Sequence, residues 1–143
     1  MQTANADTAR VLDVLTNGLQ PGGGRYLDVH APVYAGIAIR CTSANLFTTS
    51  KFASDHFDME PETEVTWWKT PESNWIPISA PFAAGLVIFD VVLETGKPVS
   101  HDPQVLKELV EFCDVWIGQD IARQYGGVDA LAVACQSGDH DTF

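Results

Sequence analysis

The hydrophobic pattern along this chain changes period twice, and the two changes divide it into three stretches. Ala9, Val11, Leu12, Leu15 and Leu19 recur near helical spacing, which predicts a first helix capped by Asp7 and stopped at Gly18. From Arg25 to Leu93 the pattern alternates instead. Val33, Ala35, Ile37, Ile39 and Cys41 share one face of a strand, and Tyr34, Ala38 and Arg40 share the other. The β-formers of Asn45 to Ala53 predict the next strand. Glu62 to Lys69 reads as a third, with Val65 and Trp67 opposing Glu64, Thr66 and Trp68. Turn residues Thr70 to Asn74 lead into Trp75 to Ser79, expected as a short edge strand because Pro77 has no N–H to give a ladder. Gly85 to Glu94 is nearly all apolar and reads as the most buried strand. After it, Asp102 is a good helix cap and Pro103 suits the first helical position. Leu106, Leu109, Val110, Cys113, Trp116, Ile117 and Ile121 form a stripe at helical spacing, widened by Val105 and Phe112, so one helix is expected over Pro103 to Tyr125. Val128, Leu131 and Cys135 add one or two helical turns beyond Gly126 and Gly127, and Ser137 to Phe143 reads as a frayed acidic tail.

This order predicts an α+β fold: an antiparallel sheet of four to six strands packed against a long C-terminal helix and a shorter N-terminal helix. Each layer buries the apolar face of the other. A length of 143 residues suits a single domain spanning 1–143, with a folded core over 5–127.

Charge then narrows the function. Nineteen acidic against eight basic residues give −11 at neutral pH. That sign opposes direct binding to a nucleic-acid backbone and to an acidic membrane surface. It suits either plain solubility or attraction to a basic partner. The longest apolar runs are too short to cross a bilayer, and Met1 to Asp7 has no secretory pattern, so a cytoplasmic location is expected. Cys41, Cys113 and Cys135 are odd in number and lack a CxxC spacing; they read as reduced core thiols, with no metal or cofactor implied.

Candidate chemistry is sparse. The stretch from Asp55 to Glu62 sets His56 among Asp55, Asp58, Glu60 and Glu62, a set that could ligate a hard cation, perform acid–base work, or simply form a solvated loop. It lacks the glycine and terminal glutamate of a calcium-binding loop. Asp90 interrupts an apolar run and is expected to face solvent or an ion-pair partner. His101 with Asp102 is explained by helix capping, His140 sits in the tail, and His30 has no evident partner. The glycine run from Gly22 to Gly24 follows a helix and matches no phosphate-binding pattern. Trp67 and Trp68 must face opposite sides of one strand, so one is expected in the core and the other beneath a second cover or exposed at a binding surface.

The chain resembles an uncharacterised bacterial domain family carried on plasmids and integrative conjugative elements. The similarity runs collinearly from Val11 to Gly126. It rests on Val11 to Leu15 before a glycine-rich turn, the extended stretch Val33 to Ile39, and the acidic segment Glu60 to Val65. Trp75-Ile76-Pro77 and the closing helix from Leu106 to Trp116 complete it. Where that family carries His-Tyr and Asn-Gly-Asp, this chain has Asp55 to Asp58, so no catalytic residue carries over. The resemblance implies a mobile-element origin.

Together these readings favour a non-enzymatic accessory protein that binds another protein, possible as a homodimer. Glu60, Glu62, Glu108 and Glu111 would supply the charge for a basic partner, and Trp67 or Trp68 an apolar anchor. One alternative is a small enzyme or ligand-binding domain with a pocket between sheet and helices, using Asp58 or Asp90 with His56. Another is a DNA-mimicking inhibitor of a host defence protein. The arrangement of the carboxylates separates the three: scattered, converging in a cleft, or lined along one face.

Overall fold

The computed structural model describes residues 2–28, 34–53, 63–81, 87–90, 92–94, 97–100 and 103–136. The fold is α+β. Helix α1, Ala6–Thr16, is followed by strands β1 (Gly24–Asp28), β2 (Tyr34–Ser43), β3 (Leu46–Ala53), β4 (Thr63–Lys69), β5 (Trp75–Pro81) and β6 (Val87–Asp90). These six form one sheet in the order β1-β2-β3-β4-β5-β6, each pair antiparallel. Strands β7 (Val92–Glu94) and β8 (Lys97–Ser100) make a separate two-stranded ribbon. Helix α2 spans Pro103–Val115, a π-helical turn Trp116–Ile121, α3 Ala122–Gln124 and α4 Val128–Gln136.

Sequential pairing of neighbours makes the alternation legible. Across the ladder Ile39 lies opposite Thr49, Thr49 opposite Val65, and Trp67 opposite both Phe47 and Pro77, so these side chains share one face with Leu27, Ile37 and Cys41. Apart from Arg25 and Thr49, that dry face is apolar. Thr49 is accommodated because its Oγ1 accepts the indole N–H of Trp67 at 3.0 Å. Trp75 stacks edge-on against Phe47 and Trp67, with ring centroids 5.3 and 6.5 Å apart. The helices lie against the sheet: α1 meets β2, and α2 meets β5 and β6. Leu12, Leu15, Leu106, Ile117 and Leu131 are fully buried in the joint core. Each such side chain contributes about 1.5–3 kcal/mol before entropy is counted.

Several local expectations are corrected. Asn5, not Asp7, caps α1: its side-chain oxygen accepts the Thr8 N–H at 2.8 Å, leaving Asp7 exposed in the first turn. Gly18 does follow the helix in a left-handed conformation, φ 81°, which a glycine adopts without steric cost. The long helix is not the C-terminal element. It passes at Trp116 into the π turn, and α4 comes after it, adding Leu131 and Cys135 to the core. Nor is β5 an edge strand, because it pairs with β4 on one side and β6 on the other. Pro77 is tolerated since the partners from β6 begin only at Ser79, while earlier in the strand the Ala4 N–H donates to the Trp75 carbonyl at 2.8 Å. The apolar run Gly85 to Glu94 is no single central strand: Val87–Asp90 ends the six-stranded order and Val92–Glu94 joins the ribbon. Strand β1, which the alternating pattern did not single out, forms the other end.

Candidate binding face

Pro103 opens α2 with a φ already suited to the helix. Leu106, Leu109, Val110 and Cys113 turn inward. Residues at i, i+4, i+7 and i+11 share a helix face, and Gln104, Glu108, Glu111 and Val115 accordingly stand on the opposite, solvent-facing side, all exposed. Val115 is 51% exposed and Phe112, flanking this stripe, 37%. The Phe112 ring leans on Trp116 at 6.1 Å. Gln104 holds Glu108 through a 3.3 Å hydrogen bond. The result is a helical surface that sets two apolar side chains among carboxylates, with Trp116 buried beneath as a stiff support.

The C-terminal half of α2 is locked to the start of α1. Asp114 Oδ1 accepts from the Asn5 backbone N–H at 3.0 Å and from the Thr8 hydroxyl at 2.6 Å. Gly118, in the π turn, approaches Thr8 so closely that a Cβ there would lie 2.6 Å from its Oγ1 and 3.1 Å from its backbone nitrogen. Burial, then the neighbouring Asp114 carboxylate, pushes the Cys113 thiol well above its usual range; burial likewise raises Cys41. All three cysteines are buried and no disulfide joins them, and neither raised thiol is a ready nucleophile.

The remaining sequence candidates divide as follows. Glu108 and Glu111 are exposed and one helical turn apart. His56, Asp58, Glu60 and Glu62 lie outside the described residues, as do the other three histidines. Asp90 stands in β6 opposite Ser79. Trp67 is fully buried and Trp68 only 9% exposed, so neither is an exposed anchor: Trp67 lies in the aromatic core, and Trp68 pairs across with buried Ile76 on the other face of the sheet. Among the described residues the exposed large apolar side chains are Phe112 and Val115, on or beside this stripe, and Val133 in α4. The sequence did carry that signal for Val115, which continues the outer stripe one turn beyond Glu111.

Two hollows are lined by residues of other elements. One, of about 300 Å³, lies over the polar side of the sheet and is lined by Ala38, Arg40, Thr42, Thr48, Ser50 and Glu64, alternate residues of β2, β3 and β4. The other, of about 260 Å³, lies where the end of α1 meets β1 and α4, lined by Asp13, Val14, Asn17, Arg25, Ala132 and Cys135. Arg25 was overlooked because a single arginine after a glycine run has no periodic signature; its Nη1 and Nη2 donate to the carbonyls of Leu15 and Asn17 at 2.5 and 3.1 Å and close the end of α1. Among the described residues, no three His, Cys, Asp or Glu side chains converge on a metal position, and no helix is long and apolar enough to cross a membrane. No family model, curated protein or solved structure matches the chain.

Proposed function

We propose that this protein is an accessory protein that works by binding a basic segment of another protein across the outer face of α2. The observation that carries the reading is the pairing of Val115 and Phe112 with Glu108 and Glu111 on one exposed helical surface, in a chain of net charge −11. Apolar contact supplies affinity once water is excluded, and the carboxylates steer a cationic partner and fix its register. A Lys- or Arg-bearing amphipathic helix fits such a surface, its apolar stripe on Val115 and Phe112 and its charges on Glu108 and Glu111. The family resemblance adds a setting, an element of mobile DNA acting on a component of its bacterial host.

The experiment is affinity capture from bacterial lysate at low and high salt, comparing three proteins. These are the native chain, a face variant (Glu108→Gln, Glu111→Gln, Val115→Ser), and a control with the same charge change elsewhere (Glu72→Gln, Asp129→Asn). The partner captured by the native chain should be retained by the control, lost by the face variant and weakened by salt. Equal capture by both variants would end the proposal and leave the acidic surplus as a solubilising coat.

A further inference from the structure

The polar side of the sheet carries a second, separate site. The register sets Tyr26, Ala38, Ser50 and Glu64 side by side across β1 to β4, with Arg40, Thr48 and Thr66 in the next row. Directly opposed residues point to the same face, so the short Ala38, Thr48 and Ser50 form a floor between the longer Arg40 and Glu64. That difference in length is the origin of the hollow of about 300 Å³. Its two charges stand on opposite sides. Two strand spacings and two residues separate Arg40 from Glu64, which puts their Cα atoms roughly 12 Å apart. Among the described residues the ion pairs are Lys69 with Asp13 and Arg123 with Asp120, and none joins Arg40 to Glu64. Ser50 and Glu64 are half-buried, and no hydrogen bond among the described residues engages either side chain.

We propose that this hollow binds a free α-amino acid as its zwitterion, Arg40 receiving the carboxylate and Glu64 the ammonium. Only a ligand of both signs meets both walls at once. A guanidinium has five donors in a planar fork, enough to take a carboxylate through two of them beside any other contact Arg40 makes. The Glu64 carboxylate accepts from the ammonium, and the hydroxyl of Ser50, opposite Glu64 in the ladder, accepts another of its three N–H groups. Such a ligand is neutral overall, so the chain's net charge of −11 does not repel it as it would a phosphate. The floor then selects the side chain. Thr42 Oγ1 donates to the Leu46 carbonyl at 3.1 Å, and Thr48 Oγ1 lies 3.4 Å from Thr66 Oγ1, which leaves these hydroxyls with lone pairs to offer. Their complement is an uncharged polar side chain that brings N–H donors, such as a carboxamide, and the volume admits one.

The test follows the Ala38, Thr48 and Ser50 amides by heteronuclear NMR while L-glutamine, L-leucine, acetate, methylammonium and glucose are titrated at matched ionic strength. L-Glutamine should give saturable shifts. Acetate and methylammonium, each half of the zwitterion, should bind at least about tenfold less tightly. L-Leucine should bind more weakly than glutamine, and glucose not at all. Glu64→Gln and Arg40→Gln should each weaken glutamine binding roughly ten- to hundredfold, since each removes one charge-assisted contact. Ala38→Leu raises the floor and should abolish the response while the melting temperature holds; Glu64→Gln, nearly equal in shape to the native residue, carries the same test if Ala38→Leu does not fold. Shifts that do not saturate, that leucine, glucose, acetate or methylammonium matches, or that persist undiminished in Glu64→Gln or Ala38→Leu would overturn the site.

Discussion

Replacing Gly118 with alanine measures how closely the two halves of the helical layer approach. In an unobstructed helix the change stabilises by about 1 kcal/mol, because glycine has more backbone freedom to lose on folding. Here the new methyl would stand 2.6 Å from Thr8 Oγ1, 3.1 Å from its backbone nitrogen and 3.4 Å from its Cα. Two of these atoms are backbone within α1 and cannot rotate aside. The third is held by its 2.6 Å bond to Asp114. Overpacking of this kind costs about 1–3 kcal/mol, and displacing the hydroxyl from a carboxylate costs about 1.5–3 kcal/mol more. Set against the propensity gain, Gly118→Ala should destabilise by about 1.5–5 kcal/mol. At this chain length each kcal/mol lowers the melting temperature by roughly 3–4 °C. Urea and thermal melts followed by circular dichroism read the effect. Thr8→Ala removes the nearest clash, so the double variant should lose less than the sum of the singles, with a coupling of about 0.5–3 kcal/mol. A Gly118→Ala protein as stable as the native chain, or more so, would refute the close crossing of α1 and the π turn.

Asn5→Ala should cost about 1 kcal/mol in a urea melt, since the Thr8 N–H loses its side-chain acceptor, whereas Asp7→Ala should cost less than half as much. Trp67→Phe should cost about 1–3 kcal/mol by the same measurement, through the lost bond to Thr49 Oγ1 and the smaller ring. For Cys113, whose pKa is raised in the fold, the unfolded chain gives up a proton above roughly pH 8.5 that the folded chain keeps. Stability conferred by the neutral thiol is therefore complete below that pH and is lost as pH rises, by up to about 1.4 kcal/mol per unit. The slope of stability against pH between 9 and 10 should be correspondingly shallower in Cys113→Ala; equal slopes would show the thiol does not titrate differently in the two states.

The candidate face was half legible. Glu108 and Glu111 were recognisable as solvent-facing because their positions fall opposite the stripe of Leu106, Leu109 and Val110. The apolar partner was misplaced onto Trp67 and Trp68 because alternation shows only that two neighbours face opposite ways; it is silent on whether the second face is covered. Phe112 was read into the buried stripe, and it sits on the margin where inward and outward positions meet. The Arg25 cavity left no trace in the sequence, since its walls come from α1, β1 and α4, elements brought together only by the fold.

By itself the sequence determined the α+β class, the start of α2 at Pro103, the stop of α1 near Gly18, and the inward faces of β2 and β4. Each follows from a property confined to a few neighbouring residues: a period, a fixed φ, a permissive glycine. Only tertiary structure decided that β5 lies inside the sheet, that the Gly85 to Glu94 run divides between two sheets, and that a π turn interrupts the long helix. It likewise decided that Arg25 closes α1 and that Asp114 joins α2 to the α1 cap. These contacts link residues far apart in the chain, and what selects them is the packing of one surface against another. A short window of sequence records which side of an element is dry, but not which surface keeps it so.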